Sequence, residues 1–116
     1  MLLVLLLLAG IAFAADEDLV TSLPGVAVMP PFKIYAGYLT INAATGKQFF
    51  YALVEAATNP GTAPLVRFFN GGPGCSSVGG GMFEELGPLI PDGNGSLASN
   101  PYSWNSAANV LFIESP

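Results

Sequence analysis

The sequence predicts an α/β fold, entered through an antiparallel hairpin and leading into a mixed, mostly parallel sheet that these residues leave incomplete. Three observations point to it. The apolar run Leu65-Val66-Arg67-Phe68-Phe69 opens directly into a glycine-rich loop, Asn70-Gly71-Gly72-Pro73-Gly74-Cys75-Ser76-Ser77. That order places a binding loop at the carboxyl end of a strand, as α/β sheets do. A second buried-type run, Val110-Leu111-Phe112-Ile113, follows a long connection. Strands apolar on both faces need helices on both sides, yet no stretch of about ten residues shows amphipathic helical period. The rest of the fold is therefore expected beyond Pro116.

Taken in order, residues 1–14 are expected to be a signal peptide. The apolar core Leu2 to Ile11 is followed by the small-x-small pattern Ala12-Phe13-Ala14, although no Lys or Arg precedes it. The alternative, a membrane anchor, needs about 20 apolar residues, and Asp16-Glu17-Asp18 ends this run earlier. Residues 15–33 read as an extended surface leader without chemistry, since Pro24, Pro30 and Pro31 deny a regular element. Residues 34–116 read as one portion of a domain. Within it, Ile34 to Ile41 and Gln48 to Ala56 have strand composition on either side of the turn residues 42–47, which predicts a hairpin. Thr58-Asn59-Pro60-Gly61 predicts a reversal in which Pro sets one dihedral and Gly supplies the other. Leu65 to Phe69 is expected to be a strand covered on both faces. Met82 to Leu86 is expected to form one or two helical turns, ended by Gly87-Pro88, and Pro91 to Asn105 reads as loop.

Eight acidic residues face only Lys33, Lys47 and Arg67, a net charge of −5. That leaves no electrostatic footprint for nucleic acid or an anionic membrane surface. The one cysteine, Cys75, has no possible partner in the chain. In an oxidising compartment this implies a partner elsewhere, the alternative being a buried free thiol. Asn94-Gly95-Ser96 is a glycosylation sequon in a turn-rich stretch, consistent with export.

Spacing narrows what the glycine loop can serve. A phosphate loop wants Lys before the Ser at the helix start, and Cys75 stands there. The dinucleotide fingerprint fails because Ser77 occupies the third glycine position. A nucleophile elbow begins with Gly74-Cys75-Ser76 but has Val78 in place of its last glycine, so Ser76 is a poor nucleophile. No histidine is present to serve as base, and the sequence contains no metal-ligand cluster and implies no cofactor. The loop retains what backbone N–H groups and one amide can do: anchor a carboxylate and stabilise a developing oxyanion.

The loop Asn70 to Ser77 resembles the signature of the serine carboxypeptidase family, peptidases of the α/β-hydrolase fold. Leu23-Pro24-Gly25, Tyr35-Ala36-Gly37-Tyr38, Glu85-Leu86-Gly87-Pro88, Asn100-Pro101-Tyr102-Ser103-Trp104-Asn105 and Ala108-Asn109-Val110-Leu111-Phe112-Ile113-Glu114-Ser115-Pro116 resemble further family motifs in the family's order. The resemblance implies the N-terminal part of an α/β-hydrolase fold. It gives Asn70 and Gly71 the substrate's terminal carboxylate and Gly72 an oxyanion N–H. It also places an acid beside that carboxylate, Glu84 or Glu85, for which the alternative is a solvated helix face. Cys75 would pair with a cysteine beyond the chain's end. The family's Ser, Asp and His triad is expected downstream as well, so the chain alone is expected to be inactive. Peptide or protein C-termini are the implied partners, in an extracellular or vacuolar/lysosomal compartment. An acyltransferase of the same family and a noncatalytic secreted protein that binds peptide termini are the other readings. Two residues depart from the family's pattern: Arg67 stands where an aliphatic residue is usual, and Phe68 where Trp is usual, without the indole N–H.

Overall fold

The computed structural model describes residues 16–115, so the expected signal peptide lies outside them. Ile34–Asn42 (β1) and Lys47–Val54 (β2) form the expected hairpin, paired from Ile34 opposite Val54 to Thr40 opposite Gln48 before a shift in register at Asn42. Gly46 supplies the positive φ of +67° that the turn requires. Tyr38 and Phe50, directly opposite, meet edge to face at 5.2 Å, the pairing that favours aromatic residues on adjacent strands.

Leu65–Phe68 (β3) and Asn109–Ile113 complete a four-stranded sheet. Between them lie two three-residue strands, Leu89–Pro91 (β4) and Leu97–Ser99 (β5), so Asn109–Ile113 is β6. The order is β1-β2-β6-β3, with β6 antiparallel to β2 and parallel to β3. The sheet is mixed as expected, and its parallel part within these residues is the single β3/β6 pairing. β6 is central. Its Val110 and Phe112 are fully buried and join Ile34, Ala52, Val54 and Met82 in the core. Each of these side chains other than Ala52 contributes about 1.5–3 kcal/mol relative to exposure. The other face differs from expectation: Leu65 is 59% exposed and Arg67 is exposed, so among the described residues β3 is covered on one face only. Arg67 therefore keeps its charge in water on an edge strand and needs no buried partner.

The leader is more than a surface strap. Leu19 bridges Tyr35, Val20 N–H donates to Ile34 O (2.8 Å), and Ala36 N–H donates to Asp18 O (2.9 Å), which extends the sheet past β1. Tyr51 Oη donates to Asp18 Oδ2 at 2.6 Å. Burial first, and then this hydrogen bond, push the Tyr51 phenol up to about 12. Gly37 makes the arrangement possible, since a Cβ there would collide with the Asp18 carboxylate. Val20, Leu23, Met29 and Phe32 pack against the core.

Three further elements differ from the sequence reading. At the reversal, the positive φ of +50° belongs to Asn59 and not to Gly61, and Asn59 O accepts Thr62 N–H (3.0 Å) and Ala63 N–H (2.9 Å). The helical segment begins at Ser77 rather than Met82: Ser77–Leu86 is a wide, π-type helix that contains Gly79, Gly80 and Gly81. Pro91 to Asn105 is not simply loop, because β4 and β5 pair as an antiparallel ribbon and Trp104–Ser106 forms a 3-10 turn. Asp92 Oδ1 organises the ribbon's tip by accepting Asn94 N–H (2.8 Å) and Ser96 N–H (3.1 Å). Buried Asn100 and Ser103 close the helix: Asn100 Nδ2 donates to Glu85 O (3.1 Å) and Gly87 O (2.9 Å), and Ser103 Oγ lies 3.1 Å from Leu86 O. Carbonyls that a helix C-terminus leaves unpaired are thus satisfied by the segment that follows it.

Candidate functional site

The glycine loop leaves β3 at Phe68 and enters the helix at Ser77, and Asn70 is its node. Asn70 N–H donates to Ser77 Oγ (2.9 Å), Nδ2 donates to Ser76 O (3.0 Å), and Oδ1 accepts Gly71 N–H (2.9 Å). Ser76 O also receives Gly80 N–H (3.1 Å) and Gly81 N–H (3.4 Å). The Asn70 amide thus enters the helix's first turn, and insertion of a side chain into the ladder is a known cause of such local widening.

The glycines inside the helix are contact points. A Cβ on Gly80 would stand 2.9 Å from Asn70 Nδ2, one on Gly79 would stand 2.9 Å from Ser76 Oγ, and one on Gly81 would collide with the Phe68 ring. That ring is fixed edge-on by Phe112 at 5.7 Å and Trp104 at 6.3 Å. Phe68 therefore packs between helix and core at the position where a Trp was the pattern.

Gly71 and Gly72 are exposed, and the space over Gly71 is open. The Gly72 N–H makes no hydrogen bond among the described residues. The Gly72–Pro73 peptide is cis, and a Cβ at Gly72 would lie 2.7 Å from Gly74 N. Gly74 adopts φ +86°, which favours glycine.

A carboxylate that sequence reasoning did not single out holds the far side of the loop. Glu114, just past β6, accepts Ser76 Oγ–H (2.5 Å) and Val78 N–H (2.8 Å) at Oε1, and Ser77 N–H (3.3 Å) at Oε2. Burial alone would raise its pKa, but the Ser76 hydroxyl and the Val78 and Ser77 amides outweigh burial and hold it below the ordinary carboxylate value. Ser76 in turn caps the helix by accepting Gly79 N–H (2.6 Å). Its hydroxyl is thus committed to capping, in keeping with its rejection as a nucleophile. The one available signal for Glu114 was an acid directly after an apolar strand.

The structure brings Asn70, Gly71 and Gly72 together on one exposed loop. Glu84 and Glu85 are exposed, and among the described residues neither carboxylate makes a hydrogen bond to them or to any other group. Cys75 is a free, exposed thiol on the same loop. Asn94 is exposed at the tip of the β4/β5 ribbon. A cavity of about 600 Å³ lies elsewhere, between the leader at Val26 to Phe32 and the segment from Leu97 to Ser106.

Residues 24–116 match the family model described as serine carboxypeptidase. The chain belongs to the serine carboxypeptidase family. It is 52% identical over 103 residues to serine carboxypeptidase-like 32 of Arabidopsis thaliana, covering 88% of this chain and 22% of that protein. It is 47% identical over 117 residues to serine carboxypeptidase ctsa-3.1 of Caenorhabditis elegans, covering 94% of this chain and 20% of that protein. Among solved structures it resembles the Saccharomyces cerevisiae Kex1(delta)p, a prohormone-processing carboxypeptidase, with a TM-score of 0.74 and 29% identity over 88% of this chain and 24% of that one. This chain thus has an α/β-hydrolase-type fold and spans about a fifth of the length of the curated relatives it matches.

Proposed function

We propose that this chain is the N-terminal part of a secretory-pathway serine carboxypeptidase and supplies the loop that grips a peptide's terminal carboxylate. Asn70 and Gly71 bind that carboxylate, the Gly71 N–H exchanging its bond to Asn70 Oδ1 for one to the substrate, and Gly72 N–H donates to the oxyanion that forms at the scissile carbonyl. Glu84 or Glu85 is the acid expected beside the carboxylate, where two acids share a proton. Nucleophile, base and the cysteine that pairs with Cys75 come from the remainder of the full-length protein, since the chain contains no histidine. Residues 1–14 direct export, and Asn94 carries a glycan. Peptide and protein C-termini are the substrates.

One observation carries the reading: an exposed loop holds the Asn70 amide in a fixed position, beside a Gly72 N–H that has no acceptor among the described residues. The test is turnover of N-blocked dipeptides by the full-length protein, with the terminal carboxylate free or amidated. Wild type is expected to favour the free acid. A hydrogen bond to a charged group contributes about 1.5–3 kcal/mol, so Asn70→Ala should reduce kcat/KM for the free acid by roughly ten- to a hundredfold. Equal rates on both substrates in wild type would overturn the assignment. Purified residues 15–116 should turn over neither substrate, and measurable hydrolysis by them would contradict the expected source of the triad.

A further inference from the structure

We infer that Glu114 is the positioning residue of the glycine loop, holding the Asn70 amide in the geometry that reads a substrate's terminal carboxylate. The inference rests on the function proposed for that loop and adds a residue to it. Its basis is a continuous set of hydrogen bonds. The carboxylate takes three donors from Ser76, Ser77 and Val78. Ser77 Oγ then accepts Asn70 N–H, and Ser76 O accepts Asn70 Nδ2. Both ends of Asn70 are therefore tied to the two serines that Glu114 holds. The donors come from the helix N-terminus, whereas Glu114 follows the central strand β6, whose Val110 and Phe112 are fully buried. The loop is thereby referenced to the buried central strand of the sheet rather than to its exposed neighbour β3. Glu114 also occupies the Ser77 and Val78 N–H groups, which a helix N-terminus otherwise offers to anions. With those two donors taken, reading of the substrate carboxylate is left to Asn70 and Gly71, as in the function proposed for the loop.

A Gln at position 114 keeps the length but exchanges one acceptor oxygen for an NH₂ facing amide donors, so it cannot satisfy all three partners. An Asp keeps the charge with one methylene less reach. The experiment compares wild type, Glu114→Gln and Glu114→Asp in the full-length protein, with two readouts. The first is the ratio of kcat/KM for free-acid over amidated blocked dipeptides, which is insensitive to the fraction of protein folded. Glu114→Gln should lower this ratio about tenfold or more, as expected for losing hydrogen bonds to a charged group, through KM more than kcat, and Glu114→Asp should recover part of it. The second is amide hydrogen exchange at Asn70, Ser77 and Val78, which should accelerate in Glu114→Gln while β6 amides keep their protection. An unchanged ratio with lowered thermal stability would reduce Glu114 to a structural cap and overturn the inference, as would unchanged exchange at Asn70. If wild type shows no preference for the free acid but exchange at Asn70 accelerates in Glu114→Gln, the positioning role stands and the carboxylate reading falls.

Discussion

Tyr51 and Glu114 make hydrogen bonds whose effects on the fold can be read out by pH. For Glu114 the folded pKa lies below the unfolded one. Its contribution to stability is therefore complete above the ordinary carboxylate range and disappears as pH falls through the folded value. Unfolding temperatures of wild type and Glu114→Gln should accordingly differ near neutrality and converge in acid. Tyr51 has the opposite sign. Its phenol is raised to about 12 by burial and by Asp18, so its contribution is complete below the ordinary phenol value and is lost as pH climbs through the raised one. An ultraviolet titration should show a phenolate step near that value which Tyr51→Phe removes, with about 1.5–3 kcal/mol of stability lost for a hydrogen bond to a charged partner. A Tyr51→Phe protein as stable as wild type would mean that Asp18 finds an equally good donor in water.

At the level of elements, the helix Ser77–Leu86 rests on its glycines. Gly81→Ala introduces a methyl where the Phe68 ring sits, and the ring is held by Phe112 and Trp104. Overpacking of this kind costs about 1–3 kcal/mol. Chemical denaturation should show the loss, whereas Gly61→Ala, with no atom within 4 Å of its Cβ, should be nearly silent. The same glycines explain what the sequence did not disclose. β1, β2, β3 and β6 were legible because their residues alternate or run apolar over lengths that strands use. The helix start was not, because Gly79, Gly80 and Gly81 read as loop until Asn70, Ser76 and Phe68 are seen against them. The loop from Asn70 to Gly72 at the end of β3 was legible from the apolar run and the glycines that follow it, whereas the roles proposed for these residues come from the family resemblance. Glu114 was not, since its partners lie almost forty residues away and its only local mark is an acid directly after an apolar strand. The leader's pairing with β1 was hidden for the same reason: Pro24, Pro30 and Pro31 exclude a helix, but only the tertiary fold brings Asp18 to Tyr51.

For the molecule as a whole, one face of the sheet carries the core and the other is only partly covered among the described residues. Phe112→Ala on the core face should cost about 3–5 kcal/mol, read as a lowered unfolding midpoint of the full-length protein. On the other side Leu65 and Phe69 are 59% and 51% exposed along an edge strand. Exposed apolar edges of that kind promote association. Purified residues 15–116 should therefore self-associate with rising concentration in light scattering, and a monodisperse monomer at high concentration would contradict this. The strand order β1-β2-β6-β3 also carries a consequence for biosynthesis. As the chain leaves the ribosome, the hairpin emerges first and β3 next, but the two are not neighbours in the sheet, and the strand that joins them emerges only after both. Until Asn109–Ile113 is available, the glycine loop hangs from a strand with no partner in the sheet, and Glu114, the residue that secures the loop, arrives one position after the strand that completes it. The glycine loop is thus fixed in a single event, in which pairing of β3 with β6 and the capture of Ser76, Ser77 and Val78 by Glu114 coincide.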